Sequence, residues 1–506
     1  MRRAVTLVPL LLAGCTVGPN YHAPTLTPPP AYGEGDPAQS AQPGTDLQGW
    51  WHAYADPELD RLVAIALADG LDVKLAQTRI AQARAQERVA RSQFFPQLNA
   101  NATVNSQRFS KNAGISSLAG AFGGGAGAGG SSGSGGVALP GGFITTYALG
   151  FDASWEADVF GGVRRQVEGA RARTEAATWN ARDAQVSLVA EVVDDYMAVR
   201  LAQEREAVAR QEVDRQTRNL QIMGENAQVG LVPQGDTIRQ RAQLAQAQAS
   251  VGPIVAEGKA QMHALAVLIG KAPDAMIVEL SVARPQLAAP PPMPAGLPSE
   301  LLRRRPDVRA AERTLAAATA DIGVAVADLY PRFNLMGMAQ LISTSLGNLF
   351  SLDSAQAMGT LGATFPILDF GRRRGTIVLR KAQADEAYLH YQQTVLSALR
   401  DVEDALIRLR TEQQRNEALR SGVTDAVRGA QAVEARYRTG LTDLTTVLDA
   451  QASVLSNRDQ LAQSDAQLRR SLGALYKALG GGWEGMPAAD GPIRGLDRDH
   501  SAPRGR

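Results

Sequence analysis

Two kinds of periodicity alternate along the chain, and the alternation occurs twice. From about Leu59 to Phe95 apolar and small residues recur among Gln, Arg and Glu at helical spacing, until Pro96 stops the pattern. Period-two alternation follows, with Leu98, Ala100, Ala102 and Val104 interleaved with Asn99, Asn101, Thr103 and Asn105. A second such segment sets Tyr147, Leu149, Phe151, Ala153 and Trp155 against Ala148, Gly150, Asp152, Ser154 and Glu156. One face of each strand suits lipid and the other suits water. The later half offers Phe333, Leu335, Gly337 and Ala339 after Pro331, then Leu361, Ala363 and Phe365 before Pro366, with Met336 and Met338 interrupting the polar face. Four strands are predicted as two hairpins with open edges, near Leu98 to Phe109 with Thr146 to Glu156, and near Phe333 to Leu341 with Leu361 to Phe365.

No proline falls between Gly162 and Gln228 or between Arg372 and Arg438, intervals of 67 residues each (228−162+1 and 438−372+1). An unbroken helix of that length reaches roughly 100 Å, more than a compact domain needs. Each interval is followed by a Gly-Leu turn and a shorter returning helix, Gln234 to Ile269 and Leu444 to Leu479.

The recurrence is a tandem duplication. Asp72-Val73-Lys74 returns as Asp307-Val308-Arg309 and Phe95-Pro96-Gln97-Leu98 as Tyr330-Pro331-Arg332-Phe333, both offset by 235. Phe160-Gly161 returns as Phe370-Gly371 and Gly230-Leu231 as Gly440-Leu441, both offset by 210. The first copy therefore carries 25 more residues (235−210) between Pro96 and Phe160, an interval that holds the Gly/Ser-rich stretch from Gly114 to Gly142. Such a loop can lengthen cheaply only at a surface tip. The resulting order is a signal peptide over 1–14, a lipidated extended segment over 15–58, a first repeat over 59–272, a Pro-rich linker over 273–299, a second repeat over 300–483 and a disordered tail over 484–506.

Composition changes this picture little. Lys+Arg 52 against Asp+Glu 51 leaves a net charge of +1, which gives a nucleic-acid binder no support. The start of the chain adds more. Arg2 and Arg3, the apolar run Ala4 to Leu12 and the sequence Leu12-Ala13-Gly14-Cys15 form a lipobox, so cleavage would leave the lone cysteine as the acylated first residue. Thr16 in the following position favours sorting to the outer membrane.

A lipid-exposed sheet must close without edges. Four strands cannot close; two copies would supply eight, a barrel filled by its own side chains, and three would supply twelve, wide enough for an aqueous lumen. A trimer is the economical solution, with helices continuing the duct into the periplasm.

The residues also resemble a known family, the TolC-like outer-membrane efflux lipoproteins of NodT type. The similarity runs from Cys15-Thr16-Val17-Gly18-Pro19-Asn20-Tyr21 through Trp50-Trp51, Asp56-Pro57-Glu58-Leu59 and Ser154-Trp155-Glu156-Ala157-Asp158-Val159-Phe160-Gly161. Leu297-Pro298-Ser299-Glu300-Leu301-Leu302-Arg303-Arg304-Arg305-Pro306-Asp307-Val308 is the most specific block, with Glu300 where the family has Asp, and Tyr476 to Trp483 closes the match. The resemblance implies an α+β membrane protein that is a homotrimer with a twelve-stranded barrel and a periplasmic helical barrel. It also implies a periplasmic adaptor, an inner-membrane pump of the resistance-nodulation-division class, and efflux of small toxic compounds such as drugs. No cofactor is expected beyond the covalent lipid on Cys15. The resemblance further implies that the two helical turns form a periplasmic gate, closed by hydrogen bonds and narrowed by carboxylates, which points to Asp236, Tyr437 and Asp449; the usual bulky apolar plug falls at Thr445. Against this stands the plainer reading of Asp236 as a helix cap.

Enzyme chemistry finds no footing. His22, His52, His263, His390 and His500 are scattered without metal-ligand spacing. Gly125 to Gly130 fits GxGxxG only inside low-complexity sequence. Asp401, Glu403 and Asp404 read as a solvated helix face, and Met336 and Met338 as packing residues rather than a soft-metal path. Two other functions compete: the exit duct of a type I secretion system, which the lipobox and the Ser299 to Asp307 block disfavour, and a poreless periplasmic adaptor, against which the duplication carrying four amphipathic strands argues.

Overall fold

The computed structural model describes residues 16–25, 32–34, 47–108, 143–230, 233–282 and 304–490. Cys15, the Gly-rich loop, most of the Pro-rich linker and the last 16 residues (506−490) lie outside them. The chain divides into two compact units. One gathers the described residues within Met1–Tyr21, Gln86–Ala170 and Ala317–Ala384; the other, those within His22–Ala85, Arg171–Ala316 and Asp385–Arg506.

The helices in chain order are α1 (Pro57–Asp69), α2 (Leu71–Ser92), α3 (Gly162–Gln228), α4 (Gln234–Leu268), α5 (Ile277–Leu280), α6 (Pro306–Ala327), α7 (Arg372–Arg438) and α8 (Leu444–Ala478). Each proline-free interval is thus one uninterrupted helix of 67 residues. The pattern expected to run unbroken from Leu59 is instead two helices. Gly70 parts them in an extended conformation (φ −55°, ψ 132°), and a Cβ there would strike the Ala66 carbonyl and Leu188. In α4, Pro253 sits inside the helix and cannot donate to the carbonyl four residues back.

The first unit is built on one antiparallel sheet in the order β1 (Gln97–Arg108), β2 (Phe143–Ala157), β3 (Arg332–Ser343), β4 (Ala355–Thr364). The two expected hairpins are joined by pairing of β2 with β3, from Tyr147 opposite Ser343 to Ala157 opposite Phe333. The fourth strand begins six residues before the expected Leu361, because Ala355, Ala357 and Gly359 continue the apolar face with side chains too small to stand out in the sequence. Register places Leu98, Ala100, Ala102 and Val104 in line with Ala153, Phe151, Leu149 and Tyr147, and these with Gly337, Ala339, Leu341 and Ser343. This face stays apolar or small across all four strands. The other face carries Asn99, Asn101 and Thr103, with Asn99 and Asn101 donating to Asp152. Met336, Met338 and Met358 share that polar face, Met338 directly opposite Met358, and Met336 is 59% exposed. The four strand ends that adjoin helices all lie at one end of the sheet.

The second unit holds the apolar core. Trp50 stacks on Tyr476 with ring centroids 4.9 Å apart, Tyr54 donates to the Arg469 carbonyl at 2.8 Å, and Tyr196 donates to Asp56 at 2.5 Å. Around these pack Leu59, Leu62, Val189, Val192, Leu265, Leu472 and Leu475, all buried. Arg305, from the most specific sequence block, forks onto Asp307 at 3.0 and 2.6 Å and reaches Asp401 at 3.3 Å and the Ala478 carbonyl at 3.1 Å. It therefore ties the start of α6 to α7 and to the end of α8. Asp401 and Glu403 are accordingly not a solvated face, since Glu403 accepts from the backbone N–H groups of Gly33 and Glu34 at 2.7 and 2.9 Å.

The expectation of disorder from residue 484 is corrected as far as Asp490. Trp483 meets Trp179 edge-on at 5.1 Å, Arg182 donates to the Pro487 carbonyl at 2.8 Å, Arg84 pairs with Asp490 at 2.6 Å, and Met486 and Ala489 are buried. The segment's polar composition concealed these few anchoring contacts. Its entry depends on Gly482 (φ 66°), whose Cβ would collide with the Leu47 carbonyl.

Gly482→Ala should lower stability by at least the ~1–3 kcal/mol that a left-handed non-glycine residue costs, because the clash is with backbone. Gly359→Ala, with open space at its Cβ, should be neutral or stabilising by up to about 0.5–1 kcal/mol. Thermal unfolding of the two purified variants in detergent checks both; equal midpoints would remove the argument.

Candidate functional site

The two turns at the far ends of α3 and α7 are repeat-related, yet they are built differently. The end of α7 is a Schellman closure: Gly440 (φ 73°) donates to the Tyr437 carbonyl at 2.9 Å and Leu441 to the Arg436 carbonyl at 2.9 Å. Asp443 then caps α8, accepting from the backbone N–H and the hydroxyl of Thr446 at 2.8 and 2.7 Å. These bonds hold its carboxyl below the usual carboxylate range. In the first copy Gly230 (φ 76°) plays the part of Gly440, but the position matching Asp443 (443−210) is Pro233, which makes no side-chain cap. The neighbouring pairs differ too, since Asp236 and Arg239 correspond to Thr446 and Asp449 (each offset by 210).

Asp236 therefore does not cap its helix through its side chain. It sits in the first turn of α4, where a carboxylate is favoured by the helix dipole. Arg239, one turn on, lies 3.8 Å from its carboxylate and donates to Thr445 Oγ1 at 3.4 Å. Thr445, the position where a bulky plug was missing, is thus drawn to Asp236 through Arg239. The link is exposed and long, so it holds the two returning helices only weakly. Tyr437 and Asp449 are exposed and make no hydrogen bond or ion pair with each other or with Asp236 among the described residues.

Farther from the turns, polar pairs bind the helices more firmly. Buried Gln240 of α4 donates to Gln216 of α3, which donates to Glu212 at 2.7 Å. Arg215 of α3 forks onto Glu212 and donates to Gln451 of α8. Arg205 donates to Asp459 at 2.8 Å and Arg470 forks onto Asp194 at 2.6 and 2.7 Å, again joining α3 with α8. On its other side α8 is joined to α7, where Asp465 accepts from Asn416 and Arg420 at 2.9 Å each. The helix turns are therefore the loosely tied end of a polar framework. Sequence reading missed Arg239 and Asp443. An acid and a base three residues apart, and an Asp three residues before Thr446 at a helix start, were the signals available. The described residues contain no cluster of three or more His, Cys, Asp or Glu suited to a metal ion.

Comparison with known proteins adds a consistent set of likenesses. The family model described as outer membrane efflux protein matches residues 62–270 and 297–481. The outer membrane protein OprJ of Pseudomonas aeruginosa is 32% identical over 479 residues, covering 94% of this chain and 95% of that protein. Nodulation protein T of Rhizobium leguminosarum bv. viciae is 28% identical, covering 95% and 94%. The solved outer-membrane channel OprN superposes with a TM-score of 0.80 at 34% identity, covering 93% of this chain and all of that one.

Because the Asp443 carboxyl is held low in the fold, its cap contributes above the unfolded carboxylate pKa of about 3.9 and is lost as pH falls through the lower folded value. Asp443→Asn should keep the cap at neutral pH and remove its acid sensitivity. Hydrogen exchange at the start of α8, corrected for intrinsic rates, reads this; identical acid fraying in both proteins would show that the cap does not govern the turn.

Proposed function

Given that the chain belongs to the outer membrane efflux protein family, we propose that it acts as a lipid-anchored homotrimer whose three sheets close into a twelve-stranded barrel gated at the helix turns. The protein is an outer-membrane channel of the TolC-like fold and serves a tripartite efflux system. The observation that carries the trimer is the sheet: one face apolar across four strands, the other polar, and the outer edges of β1 and β4 unpaired. In hydrocarbon each unpaired edge would leave a row of backbone groups without partners. Pairing β4 of one copy with β1 of the next satisfies both.

A periplasmic adaptor and an inner-membrane pump of the resistance-nodulation-division class are the proposed partners, with small toxic compounds as cargo. The chain's own role is passive conduction, without catalysis. The acyl group on Cys15 belongs to the same proposal, and the mass of the mature N-terminus reads it directly.

The gate follows from the looseness of the turns. Asp236, only weakly held by Arg239, can accept from Tyr437 of a neighbouring copy, and Asp449 adds negative charge at the same level. A hydrogen bond to a charged group contributes about 1.5–3 kcal/mol. Three such bonds suffice to hold a closed state that adaptor contacts can outweigh.

Chemical crosslinking in membranes should yield a three-chain species, and cysteines placed on β1 and β4 should crosslink between chains; a stable monomer would overturn the barrel. Tyr437→Phe combined with Asp236→Ala should raise single-channel conductance in planar bilayers, and Asp449→Ala should weaken blockade by trivalent cations. Unchanged conductance in an intact trimer would return these residues to local packing.

A further inference from the structure

We propose that the β4–α7 junction of one copy clasps the α2–β1 junction of the next by stacking Phe370 on Phe95, in a strand register that the duplication dictates. The proposal rests on the trimer reading above and adds to it which residues meet.

The template for this contact lies within the chain. Phe160, just past β2, stacks on Tyr330, just before β3, with ring centroids 4.7 Å apart and planes inclined by 25°. The duplication carries Phe160 to Phe370 (160+210) and Tyr330 back to Phe95 (330−235). These two rings adjoin the outer strands, β4 and β1, at opposite edges of the sheet. Phe370 is 92% exposed and Phe95 69% exposed, so each lies bare at the position where its repeat mate is stacked. Around Phe370 the patch continues in Phe365, Ile367 and Leu368, all exposed. A contiguous apolar patch of this kind marks an interaction surface. Phe370 also holds a φ of 51°, a left-handed conformation that crowds a bulky residue, whereas Phe160 does not.

The duplication predicts registers as well as residues. β1 and β2 pair residues whose numbers sum to 251 (97+154). Adding the two offsets, 235 from β1 to β3 and 210 from β2 to β4, gives 696, and β3 and β4 pair at that sum (332+364). β2 and β3 pair at 490 (147+343), and the stacked Phe160 and Tyr330 lie on the same line (160+330). Shifted by +210 and −235, this pairing becomes β4 of one copy against β1 of the next at a sum of 465. Leu361 then lies opposite Val104, Ala363 opposite Ala102, Thr360 opposite Asn105, and Phe370 level with Phe95. Apolar residues meet on one face and polar residues on the other. A slip of two residues would keep the faces matched but displace one ring from the other by roughly 7 Å along the strands. Only the register at 465 lets them stack.

Backbone pairing alone would accept any edge strand. The aromatic pair adds a position at which only a chain with a ring just ahead of its first strand fits. A second copy of this chain meets that condition at both edges, so the clasp sets the register and makes the interface specific where the sheet passes into the helices.

The test uses the full-length protein in isolated membranes. Each variant carries Thr360→Cys together with one of Asn105→Cys, Thr103→Cys or Gln107→Cys, and is oxidised with copper phenanthroline. Residues directly opposite lie within reach of a disulfide, and those two places along do not. Thr360 with Asn105 should therefore give a covalent three-chain species on non-reducing gels, and the two shifted pairs should not. For the stack, the assembly formed by Phe370→Ala or by Phe95→Ala should dissociate at a lower temperature than wild type in detergent. The double variant should fall no further than the single ones, and Phe370→Tyr should restore the wild-type midpoint. The cysteine pairs carry the test should the alanine variants fail to fold. Crosslinking at a shifted pair, with three chains still assembled, would overturn the register while leaving the trimer standing, and additive losses in the double variant would overturn the stack. If amine crosslinking also yields no three-chain species, the trimer falls and the clasp with it.

Discussion

Everything distinctive in this molecule follows from one requirement: a sheet facing hydrocarbon cannot leave a backbone N–H or C=O unpaired. A sheet of four strands among the described residues, one face apolar and both outer edges open there, is incomplete alone, and in the proposed assembly copies of the same chain complete it. The requirement also explains the economy of the strands. They need no bulky core, and small residues such as Ala355, Ala357, Gly359, Gly337 and Ala339 suffice where the neighbour is lipid. The apolar packing that would stabilise a soluble sheet is concentrated instead around Trp50, Tyr54, Tyr196 and Tyr476 in the other unit.

Much of the fold is legible in the sequence alone. The absence of proline between Gly162 and Gln228 and between Arg372 and Arg438 marked two unbroken helices, and Gly230 and Gly440 marked their ends. Alternation marked β1 and β2 clearly, and the matched offsets between copies made the later strands credible. The misses have physical reasons. Gly70 broke a helix through the local crowding that a Cβ would meet, and periodicity does not register that. The start of β4 was hidden because small apolar residues barely modulate the pattern. The ordering of the chain beyond Trp483 depends on Trp179, Arg182 and Arg84, partners more than 300 positions away in sequence.

The candidate site was legible in part. A glycine with positive φ ending each long helix located the turns, and the carboxylates near them were visible as charges. That Asp236 is engaged by Arg239 while Asp449 stands free among the described residues could not be read from composition, since both lie at helix starts. The copies differ where they turn: a proline opposite an aspartate, an arginine opposite another aspartate.

Pro253 gives this asymmetry a mechanical meaning. α4 lacks one rung of its ladder roughly midway along its length, and the same stretch of α8 carries no proline. A helix missing a rung bends there more readily than an intact one. The two returning helices, equal at 35 residues each, are therefore unequal in compliance: a displacement applied at the turns is partly absorbed as flexure within the first, while the second passes it along its axis with little loss.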